Sequence, residues 1–408
     1  MSYIKSLAGK SNDAHLRLHM VSPSISRVYT GVSEVVKNLS HSLSKHGAQV
    51  TIFTYRDDYT KLDSINWSHD IKIRNYTATG PSIFGYSRKM KKDLDLLYAD
   101  LGHIQSLWSF SSYYLADWSL KYKKPLLLSS NGYLTGWAMN NSHFKKTIAM
   151  NLGFHKIFTQ ASCIQVNSIK EIEGIRNLGI KVPIAVIKNG VSLPDLIDCK
   201  TPPWAYRPEA REKKILLYLG RIDKKKGLDI LLQAWMKVVK DGLAEDWHLV
   251  VVGFRWDKNI FEHDCRKYIS DNNLEHVVSI FGGMFGSDMN ACYANCNAFI
   301  LPSFSEGNAI AVLHAWAHSK PVLITDECNF QGEALDSCGI KTEPNIHSVF
   351  CGIVKTIKLE SESLDEFGRA GRTFVEQNHS WDLIAKDYIR LYQWMLDPTP
   401  GNHADLIY

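Results

Sequence analysis

No run of apolar residues in this 408-residue chain approaches the roughly 20 needed to cross a bilayer, which argues against a membrane-spanning helix. Residues 1–15 lack the apolar core of a secretory signal, so the expected location is the cytosol. Cysteine usage agrees. The eight cysteines (Cys163, Cys199, Cys265, Cys292, Cys296, Cys328, Cys338 and Cys351) are scattered, with no CxxC pair and no Cys/His spacing suited to zinc. Cys292 and Cys296 share one helix face four residues apart and read as reduced packing residues. Aspartate-rich clusters, internal repeats, low-complexity tracts and nucleic-acid-binding motifs are missing as well. Together these gaps set aside a disulfide scaffold, a zinc domain and a repeat solenoid, and leave a nucleic-acid role without a supporting motif. They give no reason to expect a bound metal or a resident cofactor.

What remains is an ordinary globular composition, 45% hydrophobic and 22% charged, in a chain too long for one compact core. Two or three domains are expected. The charge is unevenly spread. Residues 1–190 hold 24 Lys and Arg against 12 Asp and Glu, leaving 23 against 30 for the remainder. A basic first half beside a weakly acidic second half points to an anionic partner for the first. Its lysines cluster beside aromatics at 86–92, 121–124 and 143–146. Lipid head groups, a lipid-phosphate acceptor or nucleic acid each fit that chemistry, as does a plain solvated surface.

Periodicity supplies the architecture. A strand at 16–21 leads through a loop ending in Gly31 to a helix at 32–46 (Val32, Val35, Val36, Leu39, Leu43), and a strand at 50–55 follows. This βαβ opening places its first loop where doubly wound sheets hold phosphates. Further strands are expected at 103–107, 125–129, 163–166 and 184–187, with Trp108, Trp118 and Trp137 after strand ends as candidates to line a cleft. Residues 193–214, with Pro194, Pro202, Pro203 and Pro208, read as a joint. The alternation then restarts with strands at 215–219, 248–252, 277–281, 298–301 and 322–325. The reading is two α/β domains, 1–195 and 196–380, facing each other, with a last helix near 381–396 placed to pack back onto the first.

Two loop-to-helix junctions carry the chemistry. At 301–325 (LPSFSEGNAIAVLHAWAHSKPVLIT) a strand end opens into a loop with Glu306 and Gly307, then a helix from about Asn308. Backbone amides at a helix start attract anions, and Glu306 either caps that helix or reaches a ligand's hydroxyls. At 218–235 (YLGRIDKKKGLDILLQAW), Gly220 lets the backbone approach a ligand. Arg221 and Lys226 flank the start of the next helix, a pair suited to a diphosphate.

These two segments resemble the C-terminal signature of glycosyltransferase family 4, retaining enzymes of the GT-B fold. The likeness extends through 325–329 and into the first domain: the Thr30-Gly31 loop, 99–108, 131–137 and 184–191. It implies a GT-B chain of two doubly wound Rossmann-like domains that binds a nucleotide-sugar in the cleft between them. By the same resemblance Arg221 and Lys226 hold the donor phosphates and Gly31 touches them from the other side. Glu306 meets the donor-sugar hydroxyls, with the amides of Asn308, Ala309 and Ile310 close by. Base and sugar recognition falls to the loops at Gly253, Gly282 and Asn308.

Two positions depart from the family pattern. His314 stands eight residues after Glu306, where the family carries a second glutamate that meets the ribose; an imidazole cannot make the two-oxygen contact of a carboxylate. Asn131 stands where many members have a histidine, and it cannot take a proton. His103, at a strand start, is the alternative histidine for the cleft. The expected activity is metal-independent, retaining transfer of a hexose-like sugar to a glycan or lipid-linked acceptor at an anionic membrane surface. Two rivals stay open: a catalytically silent relative serving as a binding subunit, and a sugar-nucleotide hydrolase or epimerase.

Overall fold

The computed structural model describes residues 15–80, 85–107, 109–132, 155–195, 200–254, 260–330 and 333–398. Trp108, Trp137, Cys199 and the cluster at 143–146 lie outside them. The first domain is a seven-stranded parallel sheet: β1 (Arg17–Val21), β2 (Gln49–Tyr55), β3 (Lys72–Tyr76), β4 (Leu101–Ile104), β5 (Leu126–Ser129), β6 (Cys163–Val166) and β7 (Ile184–Val186). Its order is β3-β2-β1-β4-β5-β6-β7. The second is a six-stranded parallel sheet: β8 (Lys214–Leu219), β9 (Trp247–Val252), β10 (Val278–Phe281), β11 (Ala298–Leu301), β12 (Val322–Thr325) and β13 (Gly339–Thr342). Its order is β10-β9-β8-β11-β12-β13.

The strands at 50–55 and 322–325 come from short apolar or β-branched runs, buried on both faces as parallel sheets require. Expected and observed ends agree within two residues along most of the chain. The sheet-edge strands β3 and β13 were not expected. β3 (KIRNY) keeps only Tyr76 fully buried, and so carries no apolar run to read. The helix after Glu306 begins at Ile310, two residues later than Asn308.

The joint is asymmetric. Leaving the first domain, the chain docks Trp204 and Ala210 into the second domain's core through two short 3-10 turns. It returns at His379, whose carbonyl accepts the Val191 amide at 2.7 Å and whose Nδ1 donates to the Asn189 carbonyl at 2.8 Å. The closing helix Trp381–Leu396 then lays Ile384, Tyr388, Leu391 and Tyr392 against Leu18, Met20, Val36 and Leu39 of the first domain. At about 1.5–3 kcal/mol for each large apolar side chain buried, this contact fastens the last helix to the opposite end of the sequence.

Candidate active site

Where strand order reverses in a parallel sheet, neighbouring loops leave toward opposite faces and open a crevice at the carboxyl edge. In the second sheet the flanking strands are β8 and β11. Their following loops, 220–227 and 302–309, are tied together. The Phe304 amide donates to the Lys225 carbonyl at 2.8 Å. Gly227, at φ +70°, turns beneath the Pro302 carbonyl at a spot where any Cβ would collide with it. From the next strand, the Thr325 hydroxyl donates to the Ser303 carbonyl at 2.6 Å, and the Asn329 amide donates to the carbonyls of Glu306 and Gly307.

This bracing brings Lys226 Nζ to 2.6 Å from Glu306 Oε1, which also accepts the Ser303 hydroxyl at 2.7 Å. The two side chains are only 14% and 11% exposed. Burial pushes the Glu306 carboxyl up, but Lys226 and Lys225 outweigh it and hold the group below its ordinary value. Burial drives the Lys225 ammonium down. Arg221 is half exposed, 4.0 Å from Asp223, and its backbone carbonyl accepts the Tyr218 hydroxyl at 2.9 Å. Three cations against Asp223 and Glu306 leave the crevice net positive. Beside it the helix Ile310–Ala317 starts with no side-chain cap, and Asn308 Oδ1 is buried without a partner among the described residues. Helix-start amides, an excess of positive charge and an orphan acceptor suit a ligand that carries both phosphates and hydroxyls.

The first domain closes over this edge. Gly132 and Gly307 approach so closely that a Cβ on Gly307 would lie 3.2 Å from Gly132 Cα. Asn189 Nδ2 donates to the Asn308 carbonyl at 3.3 Å, and Lys170 Nζ lies 3.5 Å from Glu327. The Arg27 guanidinium sits 4.7 Å from the Phe285 ring centre while paired with Asp63 at 2.6 Å. His314 Nε2 donates to Glu34 Oε1 at 2.6 Å.

Comparison with known proteins matches both halves. Residues 29–194 match the model described as Glycosyltransferase Family 4, and residues 206–374 match Glycosyl transferases group 1. The chain belongs to glycosyltransferase family 4. It is 22% identical over 391 residues to an uncharacterized glycosyltransferase of Methanocaldococcus jannaschii, covering 90% of this chain and 95% of that one. It is 23% identical over 377 residues to the GDP-mannose:cellobiosyl-diphosphopolyprenol alpha-mannosyltransferase of Xanthomonas oryzae, covering 89% and 92%. Among solved structures, HepE of Anabaena in complex with UDP-glucose superposes with a TM-score of 0.74 at 16% identity, over 93% of this chain and all of that one. The fold is GT-B and the protein is a glycosyltransferase.

Within this family 4 enzyme the expected site residues separate into two groups. Lys226 and Glu306 meet directly. Gly220, Arg221, Asn308, Ala309 and Ile310 surround them on the same two loops and helix start, and Gly31 faces Ile310 with 3.8 Å between its Cβ position and Cδ1. Gly282 follows β10 at the same edge of the sheet, two strands from β8, about 10 Å away by strand spacing. His103 is a correction: it is fully buried in β4, with Nε2 2.7 Å from the Ser129 hydroxyl and Nδ1 2.8 Å from the Tyr392 hydroxyl. Burial alone pushes its imidazole down to about 3, so it stays neutral under the closing helix and never faces the cleft. Trp118 is likewise core, packed 5.0 Å from His19. Asn131 sits at the expected turn, but its amide nitrogen is engaged by the Gln105 carbonyl and side chain, at 2.7 and 3.1 Å. The Gly132 backbone is what this turn presents to the second domain.

Four residues were missed. Lys225 cannot be told from Lys224 or Lys226 in a lysine run, although Asp223 two residues earlier accepts its amide at 3.0 Å. Glu171, fully buried, accepts the Ser130 hydroxyl at 2.6 Å and the Asn167 amide at 3.0 Å, holding the turn that carries Gly132. Glu34 and Asn189 matter only because the domains meet. Among the described residues no group of three or more His, Cys, Asp or Glu is arranged to hold a metal ion.

The Glu34–His314 pair makes a pH prediction. Burial pushes the His314 imidazole down, and Glu34 outweighs it, holding the group above its ordinary 6.5. A histidine whose value rises on folding adds stability that is full below the unfolded value and is lost as pH rises through the folded one. His314→Gln is therefore expected to melt below wild type at about pH 6 and to converge with it toward about pH 9. Scanning calorimetry at the two pH values checks this; an unchanging gap in Tm would mean the pair carries no proton linkage.

Proposed function

We propose that this enzyme transfers a sugar, with retention of anomeric configuration and without a metal, from a nucleotide-sugar to a glycan or lipid-linked acceptor during polysaccharide assembly. The observation that carries it is the buried Lys226–Glu306 contact between two strand-end loops 80 residues apart in sequence. In the step we infer, the bond from the anomeric carbon to the diphosphate oxygen breaks, and its electron pair leaves on the phosphate. The acceptor oxygen bonds to the same face, and its proton passes to the departing phosphate oxygen. Lys226 and Arg221 stabilise the charge growing on that oxygen, the task for which preorganised cations give the largest returns. Glu306 accepts donor-sugar hydroxyls and holds the Lys226 ammonium in place. The lipid-linked acceptor is supported by the Xanthomonas relative, whose name specifies a diphosphopolyprenol.

A thermal-shift panel of nucleotides and nucleotide-sugars tests the donor, because a ligand that binds only the folded state raises its Tm. One ribonucleoside diphosphate and its sugar are expected to stand out, and proton NMR of the product should then show the donor's anomeric configuration. Inversion, or donor consumption with no glycosylated product, would overturn the assignment.

The basic first domain supports docking at an anionic membrane surface. No helix among the described residues is long and apolar enough to cross a membrane, so surface binding is the relevant mode. Co-sedimentation with vesicles is expected to rise with anionic lipid and fall with salt. Binding indifferent to both would end this part of the reading.

A further inference from the structure

The chain passes between the domains after Val191 and returns at His379, and rotation about those two crossings is the motion that opens the cleft. The contacts opposing it are unequal. Asn189 reaches the Asn308 carbonyl at 3.3 Å, and the Lys170–Glu327 pair, 3.5 Å apart, is 44% and 40% exposed. Glu34 Oε1 and His314 Nε2 are 2.6 Å apart, with side chains 25% and 8% exposed. Glu34 belongs to the helix Thr30–Lys45 and His314 to the helix Ile310–Ala317, so this shorter and drier contact joins the two domains. The imidazole has one settled direction, stacked 5.7 Å from the Tyr293 ring, which His318 flanks at 5.4 Å.

The groups around the pair leave one of them to switch it. Burial pushes His314 down, and Glu34 raises it above its ordinary 6.5. His318, whose Nδ1 lies 2.8 Å from the His314 carbonyl, is driven down to about 4 by burial and stays neutral. Two cations stand near His318: Lys320, and Arg372 of the helix Ser361–Asn378, which donates to the Ala317 carbonyl. From the helix Ser287–Ala294 the facing group is Tyr293, whose hydroxyl burial pushes well above its ordinary value. Beside Glu34, Lys37 is half-buried and also near Asp63, which Arg27 pairs. Of these groups only His314 combines an imidazole's titration range with an ionic partner on the other domain.

We propose that Glu34 and His314 form a proton-controlled latch: with the imidazole charged the domains are held together, and with it neutral the cleft opens more readily. Closing on the pair takes up a proton, so the hold is full below about pH 6.5 and is lost as pH rises through the folded value. The neutral ring still donates one hydrogen bond from Nε2, but a charge-assisted bond is about twice as strong. That difference moves the open-to-closed ratio about tenfold. Substrate enters and product leaves through the open form, so the latch makes that exchange depend on pH.

The test uses the purified full chain with no ligand added, so its outcome is independent of the donor reading above. Small-angle X-ray scattering is expected to show wild type more compact at about pH 6 than at about pH 9. Fitted to closed and opened forms, the open-to-closed ratio should rise about tenfold across that span. Glu34→Gln and His314→Gln are each expected to be more open than wild type at the lower pH, and to change less than about twofold between the two. Far-UV circular dichroism checks that the variants are folded. The conservative Glu34→Gln leaves the His314 stack in place and carries the test should His314→Gln unfold. Wild-type dimensions indifferent to pH, or an expansion that the folded variants reproduce, overturn the proposal.

Discussion

Lys226→Ala is expected to lower kcat about a hundred- to a thousandfold, the usual cost of removing one preorganised group from a site where transition-state charge develops. The ammonium is 14% exposed, and bulk water cannot easily replace it. The loss has a second signature. Glu306 stays below its ordinary value only because Lys226 and Lys225 outweigh the burial that pushes it up. Without Lys226 its carboxyl must rise, so the acid limb of the kcat/KM profile is expected to move to higher pH. Stranding one member of a buried pair also costs about 3–5 kcal/mol near neutrality. That deficit should shrink as pH falls, because a carboxyl raised on folding stabilises most when protonated. Urea melts at two pH values and the pH–rate profile together check the assignment. An unchanged kcat with an unmoved acid limb would remove Lys226 from the site.

Glu306→Gln is expected to cost turnover on the same scale by a different route. Glutamine keeps the shape and can still accept the Ser303 hydroxyl, but it removes the charge that balances Lys226, Lys225 and Arg221. The crevice becomes more cationic. Transfer should therefore fall while affinity for the nucleoside diphosphate product holds or rises. Single-turnover kinetics beside product titration separate the two quantities. Transfer as fast as wild type would show that Glu306 does not touch the reacting sugar, and a parallel loss of product affinity would point to a collapsed loop.

The Lys226–Glu306 pair was legible because each residue lies a few positions beyond an apolar strand, and strand ends at a sheet's reversal are where ligands gather. His103 shows the limit of that logic. It too lies on an apolar strand, but all of β4 is buried, and the partner of its Nδ1 is the hydroxyl of Tyr392, 289 residues later. Local pattern places a residue on a strand; which element covers that strand is a long-range fact. Asn131 and Glu171 tell the same story, since a turn's amide can face the ligand or its own sheet without any change in periodicity.

Short-range chemistry, then, was enough to read two α/β halves, a joint near residue 200 and the paired loops, whose motifs carried the resemblance to the family. Apolar periodicity and helix-start composition are properties of neighbouring residues, and they survive without coordinates. Folding alone decided that Lys225 is half-buried while Lys224 stays exposed, and that Glu34 faces His314. Each of these depends on the docking of elements far apart in the chain, where packing and burial choose the partner and spacing along the sequence has no say.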